Sequence, residues 1–103
     1  MGVKARQKPR RLAEKLLQIR TTLGLSQNEM IRLLDVELTQ NRISEYELGN
    51  GEPSLLVLLQ YARVTGVHME ALVDDELDLP EKLPASTNHE EIKRKYTSRR
   101  KKP

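Results

Sequence analysis

The 103-residue sequence predicts a small all-α fold of five helices, and three observations lead to this prediction. Apolar side chains recur at helical spacing, and no segment alternates apolar and polar residues as a half-buried strand does. Aromatic residues make up only 3% of the chain, so the core must come from Leu, Ile, Val and Met, and Leu and Met favour helices. A chain of this length has room for one core.

The first two helices are predicted over 11–23 and 27–35. Leu12, Leu16, Ile19 and Leu23 fall on one helical face, and Gly24 is placed to end that helix. Ser26 and Glu29, three residues apart, form the pattern of a capping box at the start of the second helix.

Three further helices follow. Thr39 as N-cap and Gly49 as stop predict a third over 40–48 with a polar outer face. Ser54 begins a fourth that ends before Gly66 and is apolar on nearly every side, so we expect other helices or a partner subunit to cover it. A short fifth fits 68–73, and the prolines beyond it forbid a long continuation.

The charge is distributed unevenly along the chain. Residues 1–11 and 84–103 each carry a net charge of +5, whereas residues 12–83 carry −7. We therefore divide the chain into a basic N-terminal arm (1–10), a helical domain (11–73), an acidic Pro-containing extension (74–84) and a basic disordered tail (85–103). Basic ends favour attraction to phosphate, with solvated tails that serve solubility as the alternative.

Several function classes are disfavoured. The chain has no cysteine, and His68 and His89 are too few and too far apart for a metal site, so we expect neither metal nor cofactor. No paired catalytic groups and no phosphate-binding loop are visible, which disfavours an enzyme. The longest apolar run, Leu55–Leu59, cannot span a membrane. We expect a cytoplasmic, nucleoid-associated protein.

Two short helices joined by a tight turn, with the second helix capped and outwardly polar, match the layout that places a helix in the major groove of DNA. The segment 12–73 resembles the lambda-repressor and Cro (XRE-like) helix-turn-helix family. The residues that carry the resemblance are Leu25-Ser26-Gln27, Ile43-Ser44, Glu47-Leu48-Gly49, Pro53-Ser54-Leu55, Leu59, Ala62, Gly66-Val67 and Leu72. This family's docking on DNA is the general pattern for helix-turn-helix proteins.

The resemblance implies roles for single residues. Base reading falls to four residues of the third helix, namely Gln40, Asn41, Ser44 and Glu45. Phosphate contacts fall to Gln27, Arg42 and Asn50, and the basic arm adds Lys8, Arg10 and Arg11. Arg20 and Glu47 occupy the family positions of a partly buried structural ion pair. The alternative is that the four residues assigned to base reading form only a solvated helix face.

The sequence departs from the family pattern in two places. The turn around Val36-Glu37-Leu38 is two residues longer, and Ile31 stands where the family usually has alanine. We expect Leu38, Leu56 and Val57 to fill the space that these changes create.

These observations predict a sequence-specific DNA-binding transcriptional regulator, a repressor that acts as a homodimer on double-stranded DNA. The free chain could instead be a monomer. The alternative is a protein-interaction module, namely an antitoxin or adaptor that binds a protein partner through its acidic extension or tail.

Overall fold

A computed structural model describes residues 9–84 of the chain. It contains five α-helices, namely α1 (Leu12–Leu23), α2 (Gln27–Leu34), α3 (Gln40–Leu48), α4 (Leu55–Thr65) and α5 (Met69–Val73). No strand occurs within the described range, so the all-α prediction is confirmed. The predicted structure of residues 1–8 and 85–103, including the disordered tail, lies outside the described residues.

Short polar side chains start the helices where the sequence placed them. Ser26 accepts from the backbone N–H of Glu29 (3.1 Å), and the Glu29 carboxylate accepts in return from the backbone N–H of Ser26 (2.9 Å), which completes a capping box. Thr39 and Ser54 cap α3 and α4 in the same way, at 3.1 and 3.2 Å. His68 supplies no capping hydrogen bond to α5.

Three helix bounds differ from the prediction by one residue, and one of them is the start of α5, which begins at Met69 because His68 is its N-cap residue. α2 stops at Leu34 because Asp35 adopts the left-handed conformation (φ 58°), which an L side chain rarely adopts. α1 begins at Leu12, one residue later than expected, because Arg11 is its N-cap residue. Helix ends are the least secure part of any sequence prediction, and the helices themselves are unaffected.

The core lies between all five helices and holds α3 in a fixed orientation. α1 packs against α3 and α5, α2 against α3 and α4, and α4 against α5. Leu16, Ile19, Met30 and Ile43 are fully excluded from solvent. Because Ile43 and Tyr46 anchor the inner face of α3 in this core, its outer face is left at the surface.

α4 is only partly covered. Val57 and Leu58 are buried, but Leu55 and Leu56 at its start are 76% and 72% exposed. The expectation that Leu56 fills space created by the longer turn is therefore wrong, because its side chain points to solvent. Val57 is part of the core, and Leu38 and Ile31 pack against it.

The acidic extension folds back onto the start of α1. The Asp75 carboxylate accepts hydrogen bonds from the backbone N–H groups of Arg10 (2.9 and 3.0 Å) and Arg11 (3.0 Å). Arg11, the N-cap residue, makes no side-chain capping bond of its own. Asp75 thus supplies an acceptor to the chain entering α1 from 64 residues away, and its negative charge suits the positive end of the helix.

A buried lysine on α1 connects this helix to the end of α5, just before the extension begins. The Lys15 ammonium donates to the carbonyl oxygens of Ala71 (2.7 Å) and Asp74 (2.9 Å) at the end of α5. Its side chain is fully buried, and burial lowers its pKa from the ordinary value. Leu83 is also buried in the common core, so the extension packs as part of the domain.

Candidate nucleic-acid interface

The four residues predicted to read bases share one side of α3. Gln40 and Asn41 are exposed, and Ser44 and Glu45, one turn later, are half-buried. The cap at Thr39 and the left-handed Gly49 (φ 84°) fix the two ends of the helix, so the side chains project from a rigid element. Polar side chains on the outer face of a helix offer hydrogen-bond donors and acceptors, which are the groups that direct readout of base edges requires.

The start of α2 lies beside the start of α3. The Gln40 side-chain amide donates from Nε2 to Oε1 of Gln27 at 3.2 Å. Gln27 is the first residue of α2, where unpaired backbone N–H groups and the helix dipole favour an anion. The structure therefore brings the predicted phosphate contact of Gln27 next to the predicted base reader Gln40.

A partly buried ion pair supports both helices from behind. Arg20 on α1 donates from Nε and Nη2 to the two carboxylate oxygens of Glu47 on α3, at 2.7 and 3.0 Å. Its Nη1 also donates to the carbonyl of Leu25 (3.0 Å), in the turn before α2. The hydrogen bonds with Glu47 raise the pKa of Arg20, so the guanidinium stays charged. The pair expected from the sequence is present and connects α1, α2 and α3.

Arg42 and Asn50 lie at the flanks of α3. The exposed Arg42 guanidinium donates to the Glu45 carboxylate at 3.1 Å. Asn50 follows the helix in an exposed turn held by its backbone N–H, which donates to the Glu45 carbonyl (2.9 Å). Both residues are thus exposed, and the hydrogen bond with Arg42 holds the Glu45 carboxylate beside that cation.

The residues of the basic arm that were assigned to phosphate binding lie in different surroundings. Arg10 is exposed and lines a shallow groove of about 280 Å³ beside Tyr46, Gly49 and Pro53, next to the end of α3. Arg11 is not brought to the α3 face, because its guanidinium donates to the Asp75 carbonyl (2.8 Å) and to the Asp78 carboxylate (2.6 Å). The hydrogen bond with Asp78, together with that with Glu14, raises the pKa of Arg11. Lys8 lies outside the described residues.

Two contacts, one at the candidate interface and one at the basic arm, were not predicted from the sequence. Gln27 Nε2 donates to Glu47 Oε1 at 3.1 Å, and the same carboxylate oxygen also accepts from Arg20 in the ion pair. The Asp75 carboxylate accepts from the backbone N–H groups of Arg10 and Arg11, where the basic arm joins α1. The sequence contains no signal for either contact, since each joins residues at least 20 positions apart with no characteristic spacing.

Two kinds of feature are absent from the described part of the chain. Residues 9–84 contain no group of histidine, cysteine or acidic side chains that could hold a metal ion. None of their helices has the length and apolar character needed to cross a bilayer.

Comparison with known proteins places the chain in one family. Neither a curated protein nor a solved structure matches it. A family model described as helix-turn-helix, however, matches residues 16–72, more than half of the chain, and that range contains α2, α3 and the ion pair between Arg20 and Glu47. The family is one of DNA-binding domains and is not enzymatic. The chain belongs to the helix-turn-helix family of the lambda-repressor and Cro (XRE) type, and it is a DNA-binding regulator.

Proposed function

We propose that this chain is a sequence-specific transcriptional repressor that occupies a promoter by inserting α3 into the major groove. The observation that supports this proposal is the hydrogen bond between Gln40 and Gln27, because it joins the side chain proposed to read a base to the helix terminus proposed to bind a phosphate. Gln40, Asn41, Ser44 and Glu45 would read base edges. Gln27, Arg42, Asn50 and Arg10 would bind phosphates on either side.

The asparagine at position 41 is suited to direct readout. An exposed amide offers a donor and an acceptor together, which pair with N7 and N6 of adenine. Each such bidentate contact discriminates against a wrong base by about 1–3 kcal/mol.

The repressor would act as a homodimer on DNA. One short helix reads only a few base pairs, and two copies about 34 Å apart on the duplex would double the contacts. Exposed apolar side chains that could join two copies are Val73 on α5 and Leu77 in the extension, along with Leu55 and Leu56 on α4. Leu79 and Leu83 pack against the core of the same chain, so they contribute less to such a surface.

The contacts of the extension argue against the adaptor alternative. The Asp75 and Asp78 carboxylates already bind Arg10 and Arg11 of their own chain. A basic partner would have to displace these contacts, so we favour the repressor.

The test is selection of bound duplexes from a random DNA pool at near-physiological salt, followed by titration of the selected duplex. We expect a two-fold symmetric site and a stoichiometry of two chains per duplex. Asn41→Ala should weaken binding and relax the preference at one position of each half-site, whereas Glu76→Gln on the extension should leave both unchanged. Absence of duplex binding by the full chain would refute the proposal. A reporter gene placed behind the selected site would then separate repression from activation.

A further inference from the structure

The outer face of α3 carries an ion pair within the helix itself. Arg42 donates from Nη1 to Oε1 of Glu45, three residues later, at 3.1 Å. Both side chains belong to the proposed interface, where Arg42 would bind a phosphate and Glu45 would read a base. An exposed pair of this kind contributes little to stability, so its position favours a role in binding DNA.

The Glu45 side chain is confined from two directions. Arg42 binds its Oε1, and the turn after α3 lies against it. A Cβ atom at position 51 would come within 3.3 Å of Glu45 Cβ and 3.4 Å of its Oε1, so the side chain has room in this position because residue 51 is glycine. The backbone N–H of Gly51 also donates to the Glu45 carbonyl at 3.2 Å, which fixes the turn there. The carboxylate is thus held beside Arg42.

Arg42 can offset the charge that Glu45 would bring into the groove. A carboxylate in the major groove is repelled by the phosphates on either side of it, and a guanidinium at hydrogen-bond distance reduces this repulsion. The guanidinium presents its N–H donors as a planar fork, and Glu45 occupies only Nη1. Nε and Nη2 can therefore donate to a phosphate while Nη1 holds the carboxylate.

The carboxylate restricts which base Glu45 can accept from. An ionised carboxylate only accepts hydrogen bonds, and in the major groove the donors are N4 of cytosine and N6 of adenine. Guanine offers only acceptors there, and so does thymine at O4. Adenine places the acceptor N7 beside its donor, where it would face a carboxylate oxygen. Cytosine is therefore the base that suits Glu45 best.

We propose that Arg42 is a positioning residue that makes Glu45 select cytosine, because it binds a phosphate and the Glu45 carboxylate at the same time. This inference rests on the proposed function, since it requires that α3 enters the major groove. It gives Arg42 a part in specificity, which a phosphate contact alone does not have. Without the guanidinium, the phosphates would repel the carboxylate and Glu45 would turn away from the bases.

The test measures the ratio of affinities for two duplexes. Glu45→Ala first identifies the base pair that Glu45 reads, as the position of the selected site where the preference for cytosine disappears. Full-length variants are then titrated with duplexes that differ only there, with C·G replaced by T·A, which puts the acceptor O4 in place of the donor N4. Arg42→Met should weaken binding to both duplexes because a phosphate contact is lost. It should also lower the cytosine-to-thymine ratio about tenfold.

Two comparisons separate positioning from phosphate binding. Asn50→Ala removes another proposed phosphate contact and leaves the pair intact, so it should weaken binding to both duplexes equally. Glu45→Gln removes the charge that Arg42 offsets, so in a chain with Glu45→Gln the further change Arg42→Met should also weaken both duplexes equally. Arg42 is exposed and Glu45 half-buried, so we expect these variants to fold. Circular dichroism checks this, and Arg42→Ala repeats the test if Arg42→Met is unfolded.

The outcomes distinguish this inference from the proposed function. If the wild-type chain binds no duplex, both fail. If it binds but Glu45→Ala changes no preference, or abolishes a preference for a base other than cytosine, the inference is refuted and the DNA-binding function stands. The same conclusion follows if Glu45 reads cytosine but Arg42→Met weakens both duplexes by one factor, because Arg42 then contacts phosphate alone.

Discussion

Replacing Tyr61 by phenylalanine should stabilise the protein. Tyr61 lies on α4 with no exposed surface, and its hydroxyl is the buried side-chain polar atom for which residues 9–84 provide no hydrogen-bond partner. Burying an unpaired hydroxyl costs about 1–3 kcal/mol, judged from mutational data. Tyr61→Phe removes this cost and leaves a space no larger than one oxygen atom. We expect a gain of about 1–2 kcal/mol at pH 7.

The same side chain predicts a dependence of stability on pH. Burial raises the pKa of Tyr61 well above its ordinary value of 10.0, because the phenolate would be desolvated, and the nearby Glu47 carboxylate adds to the shift. The folded protein therefore keeps this proton to a higher pH than the unfolded chain. The stability that results is complete below pH 10 and is lost as pH rises, by about 1.4 kcal/mol per pH unit. Tyr61→Phe lacks this loss, so its advantage over wild type should grow above pH 10.

Urea denaturation at pH 7 and at several values above pH 10 measures both effects. At pH 7 the midpoint should increase with an unchanged slope, and the melting temperature should rise by roughly 4–8 °C per kcal/mol in a domain of this size. Tyr46→Phe serves as the control for removal of a tyrosine hydroxyl, because the Tyr46 hydroxyl, unlike that of Tyr61, is not a buried polar atom without a hydrogen-bond partner. A Tyr61→Phe protein that is less stable than wild type by about 1 kcal/mol would refute the reasoning, since the hydroxyl must then have a partner such as a buried water.

Two further predictions concern the junction between the arm and the extension. Backbone N–H groups of Arg10 and Arg11 lower the pKa of Asp75, so its contribution to stability is present above its ordinary value of 3.8 and is lost as pH falls below it. Asp75→Asn should lower the melting temperature at pH 7 and remove this acid dependence, whereas Glu76→Gln should do neither; equal acid sensitivity in Asp75→Asn and wild type would contradict the assignment. Removal of residues 1–9 should weaken binding to every duplex and reduce the slope of log affinity against log salt by about 0.9 for each phosphate that the arm neutralises, and an unchanged slope would exclude the arm from binding.

The helices could be predicted because their signals are local. Caps such as Ser26 and Thr39 bind N–H groups three residues away, and the apolar spacing of α1 needs only the geometry of one helix. The outward position of Gln40 and Asn41 follows from the same periodicity and from the resemblance to a known family. What could not be predicted is the choice of partner between distant side chains. Arg11 was expected to bind phosphate, yet Asp78 holds its guanidinium across 67 residues of sequence.

The pairing of acidic side chains accounts for how a negatively charged body can meet DNA. Residues 12–83 carry a net charge of −7, which would oppose approach to a phosphate backbone if the charges acted together. At physiological salt, however, exposed charges are screened beyond about 8 Å, so only those close to the proposed interface matter. There the structure pairs Glu47 with Arg20 and Glu45 with Arg42. With these carboxylates matched by cations, the face offers DNA its amides and the positive end of α2, and we expect the salt dependence of binding to come from the arginines beside this face and from the basic arm.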